Sequence, residues 1–363
     1  MAPALQRLFA AVATAAIILV AGPSVWGQAQ GQQGPPPAPG RWGRLAPMPE
    51  KSEEFSFGDV NGKIYLFGGL PTGNKAPLGL VQEYDPATNQ WTKKKNMPLA
   101  VHHAAVAAYQ GKIYLFGGQI QPQPGGPTQV PINNTWEYDP STDSWKALAP
   151  MPTIRTSPSA AAVGGKIYVF GGASVHPGQK VVSLSPSVPH RALDTNEVYD
   201  PATNTWETRS TMPTARSHTA IGVVNGKIYV IGGRVGSANV TAGSNTNVVE
   251  VYDPSVDSWG AAGLRMPTAR SGHGWATYKG KIYVAGGEIY DSHVFATIRA
   301  VEGYDPATNS WTILPPMLTA RHGVNVAAIG NRLYVIGGHI ASDGAAGEAA
   351  DSDANEVYEF PEK

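Results

Sequence analysis

Six times along the chain an apolar run that alternates with Tyr ends in a glycine pair: Gly68-Gly69, Gly117-Gly118, Gly171-Gly172, Gly232-Gly233, Gly286-Gly287 and Gly337-Gly338. In the fourth unit the apolar run His218 to Val224 and the alternating run Lys227 to Ile231 flank Asn225-Gly226, a two-residue hairpin turn. Val248 to Tyr252 reads as a third strand and Asp253 to Asp257 as a turn, because Pro254 presets its own backbone dihedral and Asp253 can bond a following amide. Trp259 then opens a fourth strand, so each unit is a four-stranded antiparallel blade. The pairs recur every 49 to 61 residues by subtraction. One such sheet cannot bury both of its faces and must stack on neighbours, so the pattern predicts an all-β propeller of six blades.

The sixth unit lacks its fourth strand: after Glu356-Val357-Tyr358 the chain runs Glu359-Phe360 with no Asp-Pro and no following Trp. Trp42 precedes Met48-Pro49 as Trp206 precedes Met212-Pro213, so an N-terminal strand is expected to complete the C-terminal blade and close the ring. Residues 41–363 are assigned to the propeller.

Composition fits short strands and tight turns, with 42 Gly, 31 Pro and 15% charged residues. Lys plus Arg and Asp plus Glu are 27 each, so no net field draws the chain to nucleic acid or an anionic membrane. Arg7 followed by the apolar stretch Leu8 to Ala21 and by Val25-Trp26-Gly27 predicts a signal peptide over residues 1–27 and an extracytoplasmic, periplasmic or secreted, protein. That stretch falls short of the ~20 residues a membrane span needs, so no anchor is expected in the mature chain. Residues 28–40, rich in Gln, Gly and Pro, read as a disordered leader. With no Cys there is no disulfide, thiolate ligand or thiol nucleophile. The mature protein is read as a monomer.

Double glycines followed by spaced Tyr and Trp, at Tyr84/Trp91, Tyr138/Trp145, Tyr199/Trp206, Tyr252/Trp259 and Tyr304/Trp311, resemble the kelch repeat over about residues 41 to 360. The repeats are similar to those of the galactose oxidase central domain, whose copper chemistry requires a Cys this chain lacks. Kelch nitrile-specifier proteins hold iron with a Glu, Asp and His at intervals of four, a spacing from which Glu288, Asp291 and His293 depart. Asp343, Glu348, Asp351 and Asp353 also form no compact cation loop, and neither metal nor cofactor is expected. Blade number and expected compartment resemble the bacterial sialic acid mutarotase, which keeps a carbohydrate-active enzyme open as an alternative to a binding protein.

The interval from one position to the following first glycine is 16 in every blade by subtraction, and Ser52, Val101, Arg155, Arg216, Arg270 and Arg321 occupy it. Variation concentrates after the glycine pair, in segments such as 70–82 of the first blade and 173–196 of the third. Those loops leave a blade at the end where the chain passes to the next blade, which makes that face the binding candidate. Arg155, Arg216, Arg270 and Arg321 would converge there on an acidic peptide, protein loop or glycan, with Glu53, Glu54, His102, His103, His218, His273 and His322 beside them. The kelch resemblance also implies a structural role for the same arginines, bonding neighbouring loop carbonyls or a carboxylate of the adjacent blade, and that alternative stays open. The repeated Glu83, Glu137, Glu197, Glu250, Glu302 and Glu356 read as lattice parts pairing within their blades. No residue is singled out as a catalytic acid, base or nucleophile.

Overall fold

The computed structural model describes residues 40–71, 76–127, 129–179, 183–341 and 350–361, all within one compact unit. The signal peptide, almost all of the leader, Asp343 and Glu348 lie outside the described residues.

Six four-stranded antiparallel sheets are present. Blade one comprises Ser56–Val60, Lys63–Phe67, Val81–Asp85 and Gln90–Lys93; blade two, Ala105–Tyr109, Lys112–Phe116, Thr135–Asp139 and Ser144–Leu148. Blade three comprises Ser159–Val163, Lys166–Phe170, Asn196–Asp200 and Thr205–Thr208; blade four, Ala220–Val224, Lys227–Ile231, Val249–Asp253 and Ser258–Trp259. Blade five comprises Gly274–Tyr278, Lys281–Ala285, Val301–Asp305 and Ser310–Leu314. Blade six takes Asn325–Ile329, Arg332–Ile336 and Asn355–Glu359, with Arg41–Arg44 as its outermost strand in the register Trp42↔Tyr358. Asn225 and Gly226 form the hairpin turn with φ of 52° and 74°. The strand read from His218 begins two residues later, at Ala220.

The core lies between blades. Six apolar clusters fill the six interfaces, the one between blades six and one holding Met48, Phe55, Ile64 and Tyr84 against Tyr334 and Ile336. A Met of each Met-Pro or Met-Leu segment is buried there: Met48, Met97, Met151, Met212, Met266 and Met317. The Tyr and Trp seven residues apart face each other across strands three and four, as in Tyr199↔Trp206. Each Trp Nε1–H then donates to a backbone carbonyl of the preceding blade: Trp91 to Ala46, Trp145 to Lys95, Trp206 to Ala149, Trp259 to Ser210, Trp311 to Leu264 and Trp42 to Pro315, at 2.8–3.2 Å.

An Asn or Asp five residues after the Tyr completes the joint. Asn204 Oδ1 accepts from the Tyr199 hydroxyl and from the N–H of Ala149, both at 2.8 Å, and Asn89, Asp143, Asp257 and Asn309 repeat the pair of bonds. All five have φ between 48° and 56°, which Asn and Asp tolerate. Among the described residues blade six has no such Asn or Asp, and Pro315, which stands opposite, has no N–H to satisfy.

Asn204→Ala should therefore lower stability by about 1–2 kcal/mol in a urea titration, through a lost joint and an unfavourable φ. Asn204→Asp should stay near wild type, since Asp143 and Asp257 fill the same place. Equal stability of all three proteins would mean that the joint carries no load.

Candidate functional site

The residue 16 before each double glycine is fixed by its backbone first. Its carbonyl accepts the N–H of the second glycine of the preceding blade in all six cases: Gly69 to Val101, Gly118 to Arg155, Gly172 to Arg216, Gly233 to Arg270, Gly287 to Arg321 and Gly338 to Ser52. The first glycine must lack a side chain because a Cβ on Gly68 would stand 2.0 Å from the Val101 carbonyl oxygen, and on Gly171 2.3 Å from that of Arg216.

The four arginine side chains turn inward, and this corrects the expectation of a ligand-binding arc. Arg155, Arg216, Arg270 and Arg321 are each 0% exposed. They pair inside their blades with Glu197 (2.7 Å), Glu250 (2.8 Å), Glu302 (2.7 Å) and Glu356 (3.2 Å), and spend other N–H groups on strand-two carbonyls such as Val169, Val230, Val284 and Val335. Thr153, Thr214 and Thr268 donate to the second carboxylate oxygen of Glu197, Glu250 and Glu302. Burial pulls the Arg155 guanidinium down to about 10 against the attraction of Glu197, so it stays charged at neutral pH. With no exposed surface these groups cannot meet a ligand.

Sequence reading missed that the repeated glutamates form two classes. Glu197, Glu250, Glu302 and Glu356 stand two residues before the Tyr, whereas Glu83 and Glu137 stand one before it. A shift of one residue in a strand reverses the face. The two exceptions fall in the blades where Ser52 and Val101 replace Arg, and there the carboxylate pairs with lysine: Glu83 with Lys63 at 2.6 Å, and Glu137 with Lys112. Thr-x-Arg followed by Glu-x-Tyr was the readable signal of the internal pair.

The mouth of the channel belongs to the next two positions. The first of them bridges the residue after the double glycine: Glu53↔Leu70, His102↔Gln119, Thr156↔Ala173, Ser217↔Arg234, Ser271↔Glu288 and His322↔His339. The second has left-handed backbone in every blade, with φ of 52° at Glu54, 58° at His103, 49° at Ser157, 55° at His218, 60° at Gly272 and 58° at Gly323. Backbone bonds link these positions around the axis, from His103 N–H to Glu54 O, Ser157 to His103, His218 to Ser157, and Gly323 to Gly272. Below them lies a cavity of about 350 Å³ lined by the inner strands of all six blades.

Of the expected residues, Glu53, Glu54, His103, His218 and His322 meet here. His322 Nε2 lies 3.2 Å from Glu53 and 3.7 Å from Glu288, His103 Nε2 lies 3.3 Å from Glu54, and His102 Nδ1 lies 2.6 Å from His103 Nδ1. His273 sits one position further along, buried against Gly232 of the preceding blade. Arg234, Glu288 and His339, each immediately after a double glycine, join the site unforeseen, with Arg234 donating to Glu288 Oε1 at 2.7 Å. Their shared place directly after the glycine pair was the one sequence signal they had in common. Asp291 instead ties its own loop, accepting from the N–H groups of His293 and Val294, and joins it to the loop of blade four by accepting from Gly243 N–H.

Electrostatics sharpen the cluster. Burial pushes the Glu54 carboxyl up to about 7, against His322. Burial holds His103 down at about 3 and His218 well below the usual imidazole range, while the carboxylates of Glu288 and Glu53 overcome burial at His322 and lift it to about 9. Among the described residues, two trios have ligand atoms within 4.8 Å of one another: Glu53, His322, His339 and Glu54, His103, His218.

The raised pKa of His322 means that its contribution to stability is complete below about 6.5 and is lost as pH rises through about 9. Glu54 acts in the same direction between 4.5 and about 7, and the depressed His103 in the opposite direction below 6.5. The melting temperature should therefore fall between pH 7 and 9.5, and His322→Gln should flatten that fall. Imidazole NMR should show His322 protonated at pH 8; titration near 6.5 would contradict the ion pairs.

A family model for the KLHDC2/KLHL20/DRC7 Kelch-repeats domain matches residues 55–208 and 152–338. Kelch-like protein terF of Aspergillus terreus is 30% identical over 212 residues, 56% of this chain and 43% of that protein. Kelch-like protein 15 of Danio rerio is 32% identical over 211 residues, 56% of this chain and 34% of that protein, and Beta-scruin of Limulus polyphemus is 26% identical over 213 residues, 57% and 22%. The chain thus aligns with less than half the length of these curated relatives.

Proposed function

The chain belongs to the Kelch-repeat domain family, and we propose that it is an interaction protein that takes a segment of a partner protein on the long-loop face of blades four to six. Kelch domains generally bind protein partners. The observation that carries the location is a set of exposed apolar side chains on the loops that follow three successive double glycines: Val235 and Val240, Val294 and Phe295, and Ile340. Exposed aliphatic and aromatic groups beside a polar site favour a protein contact. The described parts of these loops brace one another, through Ser244 Oγ to Tyr290 O at 2.8 Å, Gly243 N–H to Asp291 Oδ2 at 3.1 Å and Thr297 Oγ1 to Ile340 O at 3.1 Å, which lowers the ordering cost of binding at those residues.

Of the three ligand classes expected from sequence, this reading retains the protein loop. An acidic peptide or glycan drew its support from four guanidinium groups that are buried, and it would meet Glu53 and Glu54 at the mouth. The carbohydrate-active alternative, a sialic acid mutarotase, needs the same carboxylate clamp. Extracytoplasmic placement is part of the proposal and rests on Arg7 and the apolar stretch to Ala21. No helix among the described residues is long and apolar enough to cross a membrane.

A peptide-display selection on the full chain should enrich segments with apolar anchors. Phe295→Asp and Val240→Asp should each weaken the enriched peptides about tenfold or more without changing the melting temperature. Val256→Asp, in the Asp253–Asp257 turn on the opposite face, should not. An empty selection, or equal weakening by Val256→Asp, would remove the proposal.

A further inference from the structure

We propose that Glu54, His103 and His218 form a mononuclear site for a divalent transition metal at the mouth of the channel. The three residues come from blades one, two and four, yet occupy one and the same repeat position, so the ring turns a sequence separation of 49 and 115 residues by subtraction into a single cluster. One ligand atom from each lies within 4.8 Å of the other two. The 3.3 Å between His103 Nε2 and Glu54 Oε2 is near the separation of two ligand atoms each about 2.1 Å from one ion.

The supporting contacts also suit a metal. His103 Nδ1 meets His102 Nδ1 at 2.6 Å and His218 Nδ1 meets Ser217 Oγ at 2.9 Å, so Nε2 of each ring faces the cluster, where it meets Glu54 and Ser157 Oγ respectively. Metal-bound imidazoles are oriented in this way, by a partner on the far nitrogen. Ser157 Oγ, 3.1 Å from His218 Nε2, stands beside the cluster as a neutral neighbour. Two imidazoles and one carboxylate leave further coordination positions open, and all three residues line the cavity of about 350 Å³.

The shared left-handed backbone brings the three side chains to equivalent places. Gly272 and Gly323 show that the repeat position accepts glycine, the residue that adopts positive φ without penalty. Placing a side chain there costs about 1–2 kcal/mol, borne by Glu54, His103 and His218 and also by Ser157, whose hydroxyl bonds His218 Nε2. The neighbouring trio is less suited, because a carboxylate outside it, Glu288, also stands 3.7 Å from His322 Nε2 and competes with an ion there, whereas His218 Nε2 faces only a hydroxyl. Imidazole and carboxylate without thiolate point to Fe²⁺, Zn²⁺, Co²⁺ or Ni²⁺ and away from Ca²⁺. The site does not depend on the protein-binding reading.

The test is a titration of the chelator-treated full chain with Co²⁺, followed by its visible absorption, and with Zn²⁺ by calorimetry. One equivalent of either ion should bind, produce ligand-field bands with Co²⁺, and raise the melting temperature. His103→Asn, His218→Asn and Glu54→Gln should each weaken binding about 100-fold, with Asn chosen because it tolerates positive φ. His339→Asn should leave binding unchanged. Far-ultraviolet circular dichroism without metal checks each fold, and Glu54→Gln, which keeps the side-chain shape, decides if a histidine variant fails to fold. Absence of saturable binding, binding that survives the folded variants, or binding abolished by His339→Asn would overturn the site.

Discussion

Everything at the channel mouth depends on how one residue per blade is held from two sides. Its carbonyl is gripped by the second glycine of the preceding blade in all six cases, and in four blades its guanidinium is locked to a glutamate of its own third strand. The first contact ties neighbouring blades, and the second ties the crossing segment to the sheet it enters. A buried ion pair of this kind contributes little net stability over an apolar pair of equal size, but breaking it costs several kcal/mol because one charge is left buried alone. The pair is therefore best understood as a device that allows one path for the chain. The path delivers the following two residues, as a short bridge and a left-handed turn, to the axis.

That division of labour explains why the mouth can be irregular on a regular frame. Backbone groups and glycines make the contacts that recur six times, so the side chains at the two mouth positions are free to differ. They are Glu53 and Glu54 in blade one, His102 and His103 in blade two, Ser217 and His218 in blade four, and Gly272 or Gly323 in the last two. Sixfold architecture thus yields a one-sided cluster in which Glu54 is pushed up to about 7 while His322 is lifted to about 9. The apolar loop residues of blades four to six add a second asymmetry on the same face, next to the polar mouth.

Blade number, strand order and the completion of blade six by the strand at Trp42 were legible because each is written in local periodicity and in a spacing repeated five or six times. Direction of the arginines was not. A conserved interval to the double glycine says that Arg155, Arg216, Arg270 and Arg321 are equivalent, but only the register of Glu-x-Tyr against Glu-Tyr tells which face their partner occupies. Once that register is read, Ser52 and Val101 are no longer gaps in a ligand arc, because in their blades Gln82 and Trp136 stand where an arginine would need its glutamate. The mouth cluster was half legible: Glu54, His103 and His218 were near the right place in the repeat, whereas Arg234, Glu288 and His339 enter through bridges between the two edges of a loop. No local motif could show a trio drawn from three blades.

A double-mutant cycle on Arg270 and Glu302 tests the account most directly, because it separates an internal lock from an arginine free to serve a ligand. Stabilities of the wild type, Arg270→Met, Glu302→Gln and the double variant would be measured by urea unfolding. The account predicts single losses of about 3–5 kcal/mol and a double variant more stable than the sum of the two losses implies, by about 2 kcal/mol or more. Small, additive losses would show that the pair does not hold the crossing segment, and would return the arginines to the surface chemistry from which their burial removes them.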